Sequence, residues 1–433
     1  MPADDAHAKH AVEERTRHWL EANYLAAIAS LPDASQRVFD AEGRPQHLTS
    51  YAFQEMHRKL KIFRWLDRFD FDSFIDVGAG FDWYPDLVRE RYGARAYFAD
   101  FAHSMNLPYG GPDSGRLDHA ITLNIARLPF ADDSFDAVLS SEVLEHLVRP
   151  VEAIGELLRV TRKYLIMTSL EALSVSRWQR LLAHLRVDVR RPHVERNYFL
   201  LHELDAIFAP DWSHENLFHD PSLPVSSFDR LASQDATYRR LRDPDALAAA
   251  LARSVEVSDH RPGSMGILIV KAKPGAVVRP AASDVRDLAR WLIDRTAAGQ
   301  ARLYRLAEQI RAGTAPFAQP ERPVAAELLG LLRCPDCRGA LEGRGPGLRC
   351  PACGTDFPGE YGVPVLYPVR TGESAAPGAE SLRRLAGNDA ARTRTLERVA
   401  GRLRRNERTP GPLRRLFWRV DNLVTGGPGP HVG

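Results

Sequence analysis

The chain is 433 residues long, which exceeds the length at which one hydrophobic core usually stops growing, so more than one folding unit is expected. Hydrophobic residues make up 44% and charged residues 26%, a balance that excludes general disorder. The formal net charge of +2 at pH 7 gives no overall reason to expect nucleic acid or an anionic membrane as a partner. The sequence shows neither a signal-peptide pattern nor an apolar run of about 18 residues, which predicts a cytoplasmic protein without a transmembrane segment.

In chain order, the first predicted elements are two helices at residues 8–30 and 51–70, where apolar residues recur at helical spacing. Short apolar runs then alternate with helical stretches, a pattern typical of βαβ units around a parallel sheet. The predicted fold class is therefore α/β. Two late strands are expected at 254–259 and 265–274, where a hairpin would close the sheet.

These patterns divide the chain into five parts. They are a helical N-terminal cap at 1–70, an α/β domain at 71–275, a linker helix at 284–312, a cysteine module at 326–370 and a basic tail at 373–433. The tail contains 12 Arg and 6 acidic residues and is expected to be partly disordered. The many arginines of the tail partly reflect a preference for arginine over lysine in the whole chain, which has 52 Arg and 6 Lys.

A glycine loop follows the first predicted strand in the segment FIDVGAGFDWYPDLV. Gly78 and Gly80 allow a sharp turn and a close approach of the backbone to a ligand. Twenty residues after Gly80, a second strand ends at Asp100, where a doubly wound sheet places a carboxylate against ribose hydroxyls. A dinucleotide site is disfavoured, since Trp83 stands where the pyrophosphate fingerprint has its third glycine.

The charges around this loop also separate two kinds of ligand. Carboxylates at Asp76 and Asp82 would repel a pyrophosphate. S-adenosylmethionine (SAM) has no phosphate and carries a sulfonium and an ammonium, so it suits acidic surroundings better. The loop therefore predicts SAM binding, with Asp100 and the adjacent Phe101 as candidate contacts.

Residues 70–170 resemble the class I SAM-dependent methyltransferases, especially the branch that includes ubiquinone and menaquinone methyltransferases. The first motif of that family is an acidic residue followed by Gly-x-Gly-x-Gly, and it is matched by Asp76, Gly78 and Gly80. Asp82 stands in place of the third glycine. The resemblance implies a Rossmann-like sheet and SAM-dependent methyl transfer.

The resemblance continues through LNIARLPFADDSFDAVLSSEVLEHLVRP. It implies that Asn124, where the family usually has Asp, accepts from the adenine amino group, and that Ile125 packs on the adenine. SSEVLEH places Ser141, Glu142 and His146 at the carboxyl end of the fourth strand, where ligands bind in open α/β sheets, and Ser141 is a candidate cofactor contact. His146 is the candidate base because imidazole titrates near neutrality, and a packing or capping histidine is the alternative.

The methyl acceptor is predicted from a motif that is missing. Related enzymes that methylate planar nitrogens carry the motif Asn/Asp-Pro-Pro-Tyr at this position. Here the position is occupied by Ser140 to Val143, which argues against N-methylation of adenine or glutamine. The expected acceptor is an O or C nucleophile of a small molecule, lipid or glycan precursor. Charged residues on the second helix, at His57, Lys59 and Lys61, are expected to be solvated rather than to line a substrate pocket.

All four cysteines form two Cys-x-x-Cys pairs separated by twelve residues, at Cys334, Cys337, Cys350 and Cys353. Four thiolates on two such turns can close a tetrahedral zinc site, and iron or two redox disulfides are the alternatives. The segment resembles the zinc-ribbon family that activates tRNA, ribosomal RNA and translation-factor methyltransferases. That resemblance implies a structural or docking module fused to its own enzyme, with zinc outside the catalytic chemistry.

The ribbon and the basic tail keep other functions open. Some enzymes activated by such ribbons methylate RNA, and the tail interleaves Phe417 and Trp418 with arginines, so a tRNA or ribosomal RNA acceptor is the second hypothesis. Peripheral contact with an anionic membrane is another interpretation of the tail. A non-catalytic SAM-binding scaffold is the third hypothesis.

Overall fold

The architecture is given by a computed structural model. It describes residues 2–30, 50–80, 83–106, 116–170, 199, 201–208, 211–217, 241–256, 266–313 and 322–369. The predicted basic tail at 373–433 lies outside these residues. The α-helices are α1 (Pro2–Ser30), α2 (Ser50–Leu66), α3 (Tyr84–Tyr92), α4 (His103–Asn106), α5 (Pro150–Val160), α6 (Leu201–Phe208), α7 (Pro244–Glu256), α8 (Val285–Arg311) and α9 (Ala326–Leu331).

The strands build two sheets. They are β1 (Ser73–Val77), β2 (Arg95–Asp100), β3 (Ala120–Leu123), β4 (Phe135–Ser141), β5 (Thr161–Ser169), β6 (Trp212–Leu217), β7 (Gly266–Ala272), β8 (Glu342–Arg344), β9 (Gly347–Arg349), β10 (Asp356–Phe357), β11 (Gly359–Glu360) and β12 (Val363–Leu366). Within the described ranges, nine of them form one sheet in the order β11-β12-β3-β2-β1-β4-β5-β7-β6, and β10-β9-β8 form the other.

The large sheet is mostly parallel. Strands β1 to β5 pair parallel to one another, while β7 is antiparallel to both β5 and β6. The strand order reverses between β1 and β4, and such switch points are where open α/β sheets bind ligands. The predicted α/β, Rossmann-like fold class is confirmed.

Alternation along the central strands sends side chains to two hydrophobic cores. In β5, Tyr164 and Ile166 pack in one core, whereas Leu165 and Met167 pack in the other. Helices α2, α3, α7 and α8 cover the first core. The second is covered by α5, α6 and the cysteine module at 326–370, called the cysteine ribbon from here on. Because both faces are covered, the central strands are mostly apolar, and polar residues such as Asp76 and Ser141 lie near their ends.

The cysteine ribbon extends the large sheet. Its strand β12 pairs parallel with β3, in the register Val365 to Thr122 and Leu366 to Leu123. Leu366 is fully buried and lies in the same core as Leu123. The ribbon therefore shares a sheet and a core with the methyltransferase-like part.

One predicted strand is wrong. The described part of 254–259, residues 254–256, ends helix α7, because Leu247, Leu251 and Val255 form a buried face at helical spacing. The strand that pairs with β7 on its other side is β6, which the sequence analysis missed. Its sequence, WSHENL, is polar because β6 lies at the edge of the sheet.

The helix expected as a linker at 284–312 is α8. Asp284 caps it by accepting from two backbone N–H groups of the first turn. Its Leu288 and Leu292 are buried in the same core as α2, so α8 is a packed layer of the fold rather than an isolated connection. None of the helices in the described part of the chain combines the length and apolar content that crossing a bilayer requires.

Candidate functional site

The loop after β1 depends on its two glycines. Gly78 has a φ of 88° and Gly80 a φ of 46°, in the left-handed region that favours glycine. A Cβ at Gly78 would lie 2.2 Å from Cγ2 of Val143, which follows β4. The N–H groups of Gly78 and Ala79 donate to the carbonyl of Ala99 at 2.7 and 3.1 Å. The loop is thus held between the carboxyl ends of β2 and β4.

Two predicted acidic residues lie at this loop. Asp76 is 1% exposed in β1, and Asp100 is 4% exposed at the end of β2. The carboxylate of Asp100 accepts from the N–H of Gly80 at 2.9 Å and from the N–H of Phe101 at 2.6 Å. Burial raises the pKa of Asp100 to about 6, although these backbone donors act to lower it. The structure brings the loop and the second acidic residue into direct contact.

Asn124 and Ile125 follow β3 on the other side of β2. The Asn124 Oδ1 atom accepts from the N–H of Ala126 at 2.9 Å and so caps a short 3-10 helix, Ile125–Arg127. Ile125 is 7% exposed. The parallel pairing of β1, β2 and β3 therefore places these residues at the same edge as the glycine loop.

The carboxyl end of β4 carries a strained acidic residue. Ser141 is buried, and its Oγ lies 3.0 Å from Oγ1 of Thr168 in β5. Glu142 has a φ of 55°, which is rare for a residue with a side chain and typical of functional sites. Its carboxylate accepts from Thr168 Oγ1 at 2.8 Å and pairs with Arg58 at 3.5 Å. The sequence placed Glu142 at this ligand-binding end of the sheet, but its strained backbone and its contacts were not predicted, because backbone strain leaves no signal in composition.

His146 ends the 3-10 helix Leu144–His146 just beyond β4. Its backbone N–H donates to the carbonyl of Val143 at 3.0 Å. The neighbouring Glu145 is 2% exposed and accepts from Ser169 Oγ at 3.3 Å. His146 therefore lies at the predicted end of the sheet, and its role as a base stays a prediction.

Helix α1 packs on this edge. The Glu21 carboxylate accepts from the N–H of His103 at 2.5 Å and from the N–H of Ser104 at 2.9 Å, at the start of α4. Tyr24 lies in one buried cluster with Ala79 of the glycine loop. These contacts join residues far apart in the chain, so no sequence spacing indicated them.

The expectation of solvated charges on α2 is wrong. His57, Lys59 and Lys61 are at most 3% exposed. His57 bonds Ser254 Oγ at 2.7 Å, and burial, followed by the charge of Lys61, lowers its pKa well below the ordinary value. Lys61 Nζ donates to the carbonyl of Asn216 at 2.5 Å. The partners of His57 and Lys61 come from α7 and β6, which follow much later in the sequence, whereas Lys59 pairs with Glu55 of α2 itself at 3.1 Å.

The four cysteines converge at one point. Their Sγ atoms all lie within 4.8 Å of one another, and no disulfide joins these described residues. The separations are 3.7 Å for Cys334 to Cys353 and 3.4 Å for Cys337 to Cys350. Sulfurs bound at about 2.3 Å around tetrahedral zinc would be about 3.8 Å apart. The donor set and its spacing therefore fit zinc.

An arginine next to the second cysteine ties the ribbon to α5. Arg338 donates to both carboxylate oxygens of Glu156, at 2.9 and 3.0 Å. Glu156 is 3% exposed and also accepts from Arg159, at 2.8 and 2.9 Å, and from the N–H of Leu128, at 2.7 Å. A buried carboxylate is thus shared between the ribbon and the large sheet.

A parallel sheet, a glycine loop at its switch point and a carboxylate bonded to that loop together define a cofactor-binding α/β domain. Residues 75–166 match the family model described as a methyltransferase domain. The segment 75–166 of this chain is therefore a methyltransferase domain.

Curated relatives match a part of the chain. An uncharacterized methyltransferase of Mycobacterium avium (strain 104) is 39% identical over 83 residues, covering 16% of this chain and 33% of that protein. A second, of Mycolicibacterium paratuberculosis (strain ATCC BAA-968 / K-10), is 39% identical over 83 residues, covering 16% and 32%. The chain thus spans about a third of the length of the curated relatives it matches.

Solved structures are also similar to this chain. A SAM-dependent methyltransferase from Archaeoglobus fulgidus is 17% identical, with a TM-score of 0.33, and the match covers 52% of this chain and 99% of that one. A geranyl diphosphate C-methyltransferase from Streptomyces coelicolor A3(2) is 14% identical, with a TM-score of 0.37 and coverage of 60% and 97%.

Proposed function

We propose that the whole protein is a SAM-dependent methyltransferase acting on an O or C nucleophile of a small molecule, lipid or glycan precursor. The observation that carries this proposal is the bond from the Gly80 N–H to the Asp100 carboxylate, at the switch point of the sheet. The proposed cofactor-binding residues are Asp76, Gly78, Gly80, Asp100, Phe101, Asn124, Ile125 and Ser141.

When bound, SAM supplies a methyl group that is already activated on a sulfonium. Gly78 and Gly80 let the backbone approach the ligand, and the buried Asp76 offers a charge opposite to its cationic groups. Asp100 accepts from the ribose hydroxyls. Holding the acceptor at the ends of β4 and β5 supplies much of the rate, since methyl transfer is an in-line displacement.

His146 is the proposed base for acceptors that must lose a proton. Its place just after β4 puts it at the end of the sheet where the acceptor is expected. If His146 has this role, His146→Ala abolishes turnover while SAM binding stays normal. Unchanged turnover in that variant would instead assign His146 to packing.

The four cysteines are proposed to hold one structural Zn²⁺. A closed set of four thiolates leaves no open position for substrate, so this metal stabilises the ribbon and takes no part in methyl transfer. Elemental analysis of the purified protein should give about one zinc per chain. Metal-free protein with four freely titrating thiols would contradict the assignment.

RNA is the second candidate acceptor. This candidate is favoured by the resemblance of the ribbon to activators of tRNA, ribosomal RNA and translation-factor methyltransferases, and the ribbon is joined to the large sheet through β12. The aromatic and basic tail invoked for RNA or membrane contact lies outside the described residues.

Transfer of a labelled methyl group separates these acceptors. Purified protein is incubated with labelled SAM and either total RNA or a small-molecule and lipid extract. Label in the extract supports the first candidate, and label in RNA supports the second. Cofactor binding without transfer to either pool would favour a non-catalytic scaffold.

A further inference from the structure

The ribbon brings one tyrosine to the cofactor edge of the large sheet. Strand β12 runs parallel to β3, and its last residue, Leu366, pairs with Leu123. The residues that follow this pair, Tyr367 and Asn124, therefore both lie at the carboxyl ends of their strands. Ligands of open α/β sheets bind beyond these ends. Tyr367 thus lies at the edge that carries the proposed cofactor residues, although it belongs to the ribbon.

Tyr367 contacts the turn that follows β2. Its hydroxyl donates to the carbonyl of Phe101, and its ring meets the Phe101 ring edge-on, with the centroids 5.8 Å apart and the planes at 83°. The N–H of Phe101 in turn donates to the Asp100 carboxylate at 2.6 Å. Tyr367 therefore holds the residue whose N–H orients the carboxylate proposed to bind the ribose.

Contacts to two other elements fix the position of Tyr367. The Arg17 guanidinium of α1 lies over its ring, 4.9 Å from the centroid. Just beyond it, the N–H of Val369 donates to Oδ1 of Asp336 at 2.9 Å, and Asp336 lies inside the first Cys-x-x-Cys pair. The end of β12 is therefore tied to the turn that carries two of the proposed zinc ligands.

The same turn of the ribbon also holds the segment proposed to bind the adenine. Arg127 ends the short 3-10 helix that Asn124 caps, and it donates to the carbonyls of Pro335 and Asp336, to the latter at 2.8 Å. The ribbon thus contacts the turn after β2 through Tyr367 and the helix after β3 through its backbone carbonyls. Both segments proposed to hold the nucleoside are supported from the ribbon.

We propose that Tyr367 is a positioning residue of the cofactor site, which holds the turn Asp100–Phe101 in place for the ribose. This inference rests on the proposed SAM site. Tyr367 acts through Phe101 rather than through the ligand. The ribbon then has a task beyond its own folding, because it completes the cofactor site from outside the matched segment 75–166.

Two ligands that differ only in the ribose test this proposal. S-adenosylhomocysteine carries both ribose hydroxyls, and its 2′,3′-dideoxyadenosyl analogue lacks them. Calorimetry on the purified full chain should show wild-type protein binding S-adenosylhomocysteine at least about tenfold more tightly, since the analogue loses hydrogen bonds to a charged group. Tyr367→Phe keeps the ring and removes the hydroxyl. It should weaken binding of S-adenosylhomocysteine about three- to tenfold and change the affinity for the analogue less than about twofold.

Tyr97→Phe is the matched control. It also removes a tyrosine hydroxyl that joins sheet and ribbon, because Tyr97 in β2 donates to Glu327 in α9 at 3.0 Å. Its ring packs in the second core, so this bond does not reach the turn after β2. Both ligand affinities of Tyr97→Phe should equal those of the wild type.

The ratio of the two affinities separates positioning from packing. A general loosening of the fold would weaken both ligands equally in Tyr367→Phe, and that result, or an unchanged ratio, would overturn the positioning role. A loss of ribose preference in Tyr97→Phe as large as in Tyr367→Phe would overturn it as well. Equal binding of both ligands by wild-type protein would do the same, because the turn would then not recognise the ribose. Failure of wild-type protein to bind either ligand would instead refute the proposed function, and this inference with it.

Discussion

The large sheet and the cysteine ribbon are held together in different ways. The sheet buries both faces under helices, and side chains such as Phe74, Leu139 and Ile166 are at most 1% exposed. Strands β8 to β10 of the ribbon have two or three residues each, and every residue of β8 is exposed. A unit this small gains little from hydrophobic burial, so it depends on the cysteine site and on the neighbouring sheet. Strand β12 belongs to both regions and couples them.

Loss of the proposed zinc should have the largest effect. Structural zinc supplies about 10–16 kcal/mol in zinc-finger peptides, so Cys350→Ser should unfold the ribbon while the central strands stay folded. Hydrogen exchange should show lost protection at Val365 and Leu366, next to β3, with β1 and β4 unchanged. Chelation of the wild-type metal should give the same pattern. If β12 kept its full protection from hydrogen exchange without metal, the ribbon would not depend on the cysteine site more than the large sheet does.

The buried carboxylate between the regions should come next. Glu156→Ala leaves Arg159 and Arg338 without their shared partner, and breaking a buried ion pair costs about 3–5 kcal/mol. Urea unfolding measures this loss. Asp356→Ala is the control, since Asp356 pairs with Arg344 and Arg349 on the exposed ribbon surface and should unfold as wild type. Equal effects of the two changes would show that the Glu156 contact does not join ribbon and sheet.

A change in the glycine loop should affect the sheet region and spare the ribbon. Gly78→Ala adds a Cβ 2.2 Å from Val143 at a φ of 88°, so the loop must move. A displacement of about 1 Å can cost about 100-fold, and a rise of that size is expected in the dissociation constant of S-adenosylhomocysteine. The zinc content should not change.

Gly93→Ala is the control for this loop. Gly93 has a φ of 67°, but a Cβ there meets nothing within 4 Å, and the residue ends α3 away from the loop. It should cost about 1 kcal/mol of stability and leave ligand affinity unchanged. Normal affinity in Gly78→Ala would place the cofactor elsewhere.

The smallest expected effect is a pH dependence. Burial raises the pKa of Asp100 to about 6, so the folded protein without ligand holds this proton more tightly than the unfolded chain, whose Asp pKa is about 3.9. The resulting stability is fully present below about pH 4 and is lost as the pH rises through about 6. Recognition of the ribose requires ionised Asp100 and therefore has the opposite pH dependence. The affinity for S-adenosylhomocysteine should fall up to about tenfold per pH unit below 6.

Asp100→Asn checks the origin of this slope. Its amide does not titrate, so ligand titrations between about pH 5 and pH 7.5 should give a flatter profile than wild type. An equally steep profile in the variant would assign the pH dependence to another group.

Local patterns in the sequence predicted much of the fold and the loop. The alternation of strands and helices predicted the parallel sheet, and Gly78, Gly80 and Asp100 were predicted to lie at the ends of its first two strands. The structure adds a direct hydrogen bond between the Gly80 N–H and the Asp100 carboxylate. The cysteine spacing likewise predicted four converging sulfurs. These features depend on neighbours within a strand, a turn or a single βαβ unit.

Features that depend on distant partners were missed. Lys61 reads as a solvated charge until Asn216 is known to accept from it. The pairing of β12 with β3 joins two segments that are far apart in the chain, and the sequence pattern of neither segment indicates the pairing.

Titration of the purified full chain with S-adenosylhomocysteine tests the central claim most directly. We predict saturable binding to one site per chain, weakened about 100-fold by Gly78→Ala, the size of effect expected from a misplaced loop. A flat titration with well-folded, zinc-loaded wild-type protein would contradict the assignment of the glycine loop and Asp100 to a SAM site.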